Sequence, residues 1–184
     1  MDIVLLVIGL LVVTYCAIEG FGRSILLLFI FYITTIVLGM VMLSVHFVQN
    51  LGNRVAEMIG GNTNQSLFET LLFLALLIPC TIGIFLLTHY TIGSLNFSRI
   101  QWLDTLLSTM TGVILALCII AIISNTWGII VSSVWQPEQT WRTFQNAYAT
   151  SILRPHMQRV LAIYHELLFP FKMSRYPRVY TVNF

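Results

Sequence analysis

Residues 105–137 read TLLSTMTGVILALCIIAIISNTWGIIVSSVWQP, without one Asp, Glu, Lys or Arg. The hydrocarbon core of a bilayer is ~30 Å thick and takes about 20 apolar residues as a helix. Two more stretches, residues 24–53 and 70–98, are equally free of charge, and a shorter one, residues 3–18, lies between Asp2 and Glu19. Only 9% of the 184 residues are charged, against ~25% in an average soluble domain. The mean hydropathy is +0.88. A water-soluble fold cannot bury that much uninterrupted apolar chain. The expected fold is all-α, a polytopic membrane protein of four transmembrane helices with interfacial amphipathic helices. The expected spans are about residues 3–20, 25–48, 67–90 and 103–127. Residues 1–135 then form the transmembrane domain, and residues 136–184 form an amphipathic C-terminal tail.

The remaining composition narrows the function. A net charge of +2, with no basic stripe interleaved with aromatics, argues against nucleic acid as a partner. Cys16, Cys80 and Cys118 fall inside apolar runs and read as small buried hydrophobes, with no metal-ligand spacing. The N-terminus lacks the basic region and small-residue cleavage site of a secretory signal, so the first run is expected to be a retained span.

Along the chain, Glu19-Gly20-Phe21-Gly22-Arg23-Ser24 reads as a tight turn joining the first two spans into a hairpin. Val48, Leu51, Val55, Met58 and Ile59 recur at helical spacing leading into and through residues 50–66, as in a short amphipathic helix at the interface or re-entering slightly. Ser66-x-x-Glu69 is a capping-box pattern opening the third span. Pro79 and Gly83 should kink that span; a broken helix at a substrate site is the alternative. Trp102 and Trp127 are 25 positions apart, ~37 Å at 1.5 Å per residue, and fit two interfacial anchors on one helix. The helix then projects beyond the bilayer or bends near Asn125-Thr126. Residues 141–153 and 156–169 read as two helices, the first ended by Pro155. Met157, Val160, Leu161, Tyr164 and Leu168 form the apolar face of the second, an interfacial or docking helix. An extended tail follows Lys172.

The fourth span carries the most informative spacing. Ser108, Gly112 and Ala116 are four apart, as are Ser124, Gly128 and Ser132. Small residues at this spacing let helix backbones approach closely. At ~100° per residue the two triplets fall on different faces. Either the second is a face for a partner or a second copy, or both pack within the four-helix unit. Asp104 near the helix N-terminus suits the dipole, with Arg99 or Arg23 as expected ion-pair partners; ion or proton handling is the alternative. His46 and His89 at span ends read as locally hydrogen-bonded, with metal or pigment ligation as the alternative. No nucleophile–base pair, zinc motif, phosphate loop or paired intramembrane carboxylate occurs. The expectation is therefore a protein without catalytic residues, metal or implied cofactor; a pigment contact would arise only in a photosynthetic assembly.

Asp2, the Glu19-Gly20-Phe21-Gly22-Arg23 turn, and Asp104-Thr105-Leu106-Leu107-Ser108-x-x-x-Gly112 together resemble the CvpA (colicin V production protein) family. Order and approximate spacing match over about residues 2–135, and Ser151-Ile152-Leu153-Arg154-Pro155 resembles the family's tail. Glu19 stands where the family has Arg, Thr105 where it has a second Arg, and Ser108 where it has Gly. The resemblance implies a bacterial inner-membrane protein with four spans, no established enzymatic activity and an association with colicin V export and envelope homeostasis. It also places both termini outside the cytoplasm. Charge counting points the other way, with seven Arg and Lys on the side of the termini and two on the other. Lipids, other transmembrane proteins or further copies of the chain are the expected partners. Two other functions fit parts of the chain: an accessory subunit of a respiratory or photosynthetic complex, from the second small-residue face and the tail, and a small transporter or channel, from Pro79, Asp104 and Glu69.

Overall fold

The computed structural model describes residues 1–44, 65–91, 101–132 and 138–168. They form six helices: α1 (Asp2–Glu19), α2 (Phe21–Ser44), α3 (Gln65–Thr91), α4 (Gln101–Ser132), α5 (Glu138–Ala149) and α6 (Arg154–Leu168). Four of them, α1 to α4, are long and apolar enough to cross a bilayer. The chain is an all-helical, multi-pass membrane protein, with no strand among the described residues. Residues 50–64 of the expected interfacial segment, His46, Arg99 and the tail after Lys172 lie outside the described residues.

The fourth span is the hub. About half of its apolar window is buried inside the protein, against 17% for α1, and α1, α2, α3, α5 and α6 all pack on it. Leu115, Ala121 and Ile122 are fully enclosed, and with Leu5, Phe73, Leu77 and Leu161 they form one apolar cluster. In hydrocarbon such a cluster gains nothing from leaving water. It is held by close packing and by hydrogen bonds between helices. α4 runs unbroken from Gln101 to Ser132. Asn125 and Thr126 do not interrupt it, because Thr126 gives its hydroxyl to the Ile122 carbonyl at 2.8 Å and so stays within the helical pattern. An apolar helix of 31 residues is ~46 Å long, so it projects past a ~30 Å core.

Three boundaries differ from the sequence reading. The first turn is shorter than expected: Gly20 alone separates α1 from α2, and Phe21, Gly22 and Arg23 are already helical. α3 starts at Gln65, so Ser66 lies inside the helix; α3 then runs through Pro79 without interruption. Pro155 does not end the preceding helix. α5 stops at Ala149, and Pro155 is the second residue of α6, a first-turn position where its missing N–H has no partner to lose.

The segment after α4 folds back onto the bundle. The Trp141 indole donates to the Val131 carbonyl at 3.0 Å, and the rings of Trp127 and Phe144 lie 5.2 Å apart. Met157, Leu161 and Tyr164 of α6 are buried, so the apolar face read from the sequence docks on the chain's own helices. Asp2 closes the corner between α5 and α6. Its carboxylate accepts from the Ser151 hydroxyl at 2.5 Å and the Ile152 N–H at 3.0 Å.

Candidate functional site

A polar latch joins the α1–α2 turn to the start of α4. Gly20 ends α1 at φ +85° and ψ 168°, a region essentially confined to glycine that costs a residue with a Cβ ~1–3 kcal/mol. The reversal leaves the first N–H groups of α2 without helical acceptors. Asp104 fills that place from another helix: both its carboxylate oxygens lie 3.4 Å from the Phe21 nitrogen. One turn further in, the Ser24 hydroxyl lies 2.9 Å from the Cys16 carbonyl, 2.8 Å from the Gly20 carbonyl and 2.9 Å from the Ser108 hydroxyl. Ser108 in turn donates to the Cys16 carbonyl. Each hydroxyl has one proton. With Ser108 serving Cys16, its oxygen accepts from Ser24, or Ser24 serves a carbonyl of α1. Ser24 and Ser108 are both fully buried.

Of the two ion-pair partners expected for Asp104, Arg99 lies outside the described residues and Arg23 pairs elsewhere. Arg23 binds Glu19 at 2.6 Å, four positions back across the Gly20 break. Helix α2 begins at Phe21, and this carries Arg23 around toward the end of α1, while Asp104 is engaged by backbone. The Glu19–Arg23 pair keeps some exposure on both partners, and pairs of that kind contribute ~0–1 kcal/mol.

Below the latch the small residues of α4 meet α1. A Cβ on Gly112 would lie 2.8 Å from the Cys16 Cβ and 3.2 Å from the Val13 Cα. One on Gly9 would lie 2.7 Å from the end of Ile120 and 4.0 Å from the Ala116 Cβ. Ser108, Gly112 and Ala116 therefore form one seam against Cys16, Val13 and Gly9. The second triplet does not offer an open partner face. Ser124 is buried, and the Tyr148 hydroxyl of α5 covers the place a Cβ on Gly128 would need. Ser132 is exposed and gives its hydroxyl to Ile129.

Sequence reading identified Gly20, Phe21, Asp104, Ser108, Gly112 and Ala116, and the structure brings these six together; Arg23 lies at the same end but pairs with Glu19. It missed Gly9, Ser24, the Cys16 carbonyl and the Asp2 tether. Gly9 has no small partner at four-residue spacing, and Ser24 reads as the end of the turn.

Two further features stand apart from the latch. α6 runs alongside the spans. The Tyr32 hydroxyl donates to the Leu167 carbonyl at 2.8 Å, and the Phe31 and Tyr164 rings lie 6.5 Å apart. Tyr32 is eleven residues into α2, ~16 Å from its start, about half the thickness of the core. Glu166, next to Leu167, is exposed on the outer side of α6, as is Arg159 nearer its start. The second feature is a cavity of about 740 Å³ between α1 and α3, floored by residues of α2 and α4. His89 packs against Phe85 and Tyr90. Among the described residues no three His, Cys, Asp or Glu side chains converge as metal ligands would.

No family model, no curated protein and no solved structure matches this chain.

Proposed function

We propose that this protein is a non-enzymatic, CvpA-like protein of the bacterial inner membrane, with both termini outside the cytoplasm. It acts in the envelope or in export through helix–helix and lipid contacts. The observation that carries this reading is the α1–α2–α4 latch. Asp2, the Gly20 turn, and Asp104, Ser108 and Gly112 are the positions on which the resemblance rests. Of these, the turn and the α4 residues converge on one interlocked hairpin, with the Asp104 carboxylate turned to backbone and not to a substrate path. The test is genetic. Deletion in the native bacterium should sensitise cells to envelope-perturbing detergents. The wild-type chain should restore resistance, and Gly112→Val should not. A deletion strain indistinguishable from wild type under envelope stress would remove the proposal.

A second reading is favoured by one observation. Glu166 is exposed at about the mid-depth of the spans, where a lipid-facing carboxylate is costly. Under this reading α6 is the docking element of an accessory subunit, and a partner helix covers its outer face. Deleting residues 141–184 should then release the protein from its complex, and retention would count against α6 as the anchor.

A further inference from the structure

The cavity between α1 and α3 has a chemical character of its own. Seventeen residues line it, and all but Thr14, Tyr15 and Thr81 are aliphatic or Phe. Its volume of about 740 Å³ falls within the ~300–1,000 Å³ range of small-molecule sites. α1 and α3 stand on opposite sides and meet where the Tyr15 and Phe85 rings lie 6.2 Å apart, edge to face. Leu11, Ile78 and Ile82 of the lining are exposed, so the cavity opens sideways, on the outer face of two helices long and apolar enough to cross a bilayer.

One lining group is out of place in such a chamber. Thr81 is only 9% exposed, and its hydroxyl has no hydrogen-bond partner. Other threonines of these spans return their hydroxyl to the carbonyl four residues back: Thr35 to Phe31 at 2.7 Å, Thr111 to Leu107 at 2.9 Å and Thr126 to Ile122 at 2.8 Å. Thr34 shares the orphan state of Thr81 but lies off the lining. A buried hydroxyl without a partner is costly, and a ligand acceptor removes that cost.

Depth selects the ligand class. Thr81 is eleven residues from Thr70 and nine from Tyr90, ~16 Å and ~14 Å along the helix. It therefore sits near the mid-plane of a ~30 Å core. Phospholipid headgroups and esters stay at the interface and do not bring an acceptor to that level. The lining runs only from Ile8 to Ile18 on α1, ~15 Å, about half of what a membrane-spanning helix would need along its length. What fits is an uncharged amphiphile dissolved in the hydrocarbon, with a hydrogen-bond acceptor on a compact head and an apolar tail leaving between α1 and α3. We propose that the cavity binds an isoprenoid quinone, with a ring carbonyl accepting the Thr81 hydroxyl.

The site does not rest on the envelope reading. The full-length protein, delipidated in mild detergent, is titrated with decylubiquinone and examined by native mass spectrometry. Saturation at one molecule per chain is expected. Thr81→Val keeps the shape and removes the donor, and should weaken binding about 2–10-fold. Ile119→Trp fills the cavity and should abolish binding. Circular dichroism checks that both variants are folded, and Thr81→Val decides alone if Ile119→Trp is not. Non-saturable uptake, equal affinity in wild type and Thr81→Val, or retention of phospholipid alone would overturn the proposal.

Discussion

Replacing Gly112 by Ala adds one methyl group at the α1–α4 seam. That methyl carbon would stand 2.8 Å from the Cys16 Cβ and 3.2 Å from the Val13 Cα. Carbon atoms rest at ~3.5–4.0 Å, so the nearer contact is short by about 0.7–1.2 Å. Both obstacles sit on or next to the α1 backbone and cannot turn away, so α1 must withdraw. A gap of ~0.5–1 Å forfeits a quarter to a half of each dispersion contact of ~0.1–0.2 kcal/mol. Over some tens of contacts along the seam the loss is about 1–3 kcal/mol, the usual range for overpacking. Gly83 is the control on α3: a Cβ there meets nothing within 4 Å. Alanine at that position should stabilise by ~0.5–1 kcal/mol through helix propensity alone. The assay is reversible unfolding in mixed micelles titrated with dodecyl sulfate and followed by far-ultraviolet circular dichroism. Gly112→Ala should lower the midpoint and Gly83→Ala should raise it. Shifts of the same sign and size would refute the idea that close backbone approach holds α1 to α4.

The same assay serves the remaining predictions. Gly9→Ala should cost far less than Gly112→Ala, under ~1 kcal/mol, because its obstacle is the flexible end of Ile120. Gly20→Ala should cost ~1–3 kcal/mol through its φ of +85° and ψ of 168°, with its Cβ also pressing on the Asp104 carboxylate at 2.8 Å. Asp104→Ala should lose ~1 kcal/mol, as for a deleted helix cap, and Asp104→Asn less, because the amide oxygen still accepts from Phe21; equal losses would deny the capping role. A double-mutant cycle of Ser24→Ala and Ser108→Ala should give a coupling of ~0.5–1.5 kcal/mol, and a coupling of zero would mean that the two hydroxyls act separately.

The spans were legible because charge is so costly in hydrocarbon that its absence over residues 24–53, 70–98 and 105–137 has one physical explanation. Which face of each span meets which neighbour was far less legible. Lipid tails are as apolar as Leu, so the inside–outside contrast that orients soluble helices is missing. Ile122 is enclosed and Ile114 is exposed, yet nothing in the residue type distinguishes them. Small residues escape this degeneracy, and so Ser108, Gly112 and Ala116 could be read as a seam. Gly9 could not, standing alone among large aliphatics. Asp104 is legible as a polar anchor near the membrane edge, but of the two partners read for it Arg23 turns to Glu19 and the Phe21 N–H meets the carboxylate instead. A carboxylate seeks any donor, and the Phe21 N–H became one only when Gly20 alone formed the turn. The cavity had no sequence signal at all, since Leu74, Leu77 and Ile119 look the same beside a void as beside a helix.

On the proposed reading this chain works as an autonomous membrane protein held together by its own helix contacts. The most direct measurement is purification from the native membrane in mild detergent through a terminal tag, with mass spectrometry of whatever accompanies it. Recovery alone or as a self-assembled oligomer is the predicted result. Stoichiometric recovery with a large complex would contradict the claim and make the outer face of α6, with Glu166 and Arg159, the contact to map.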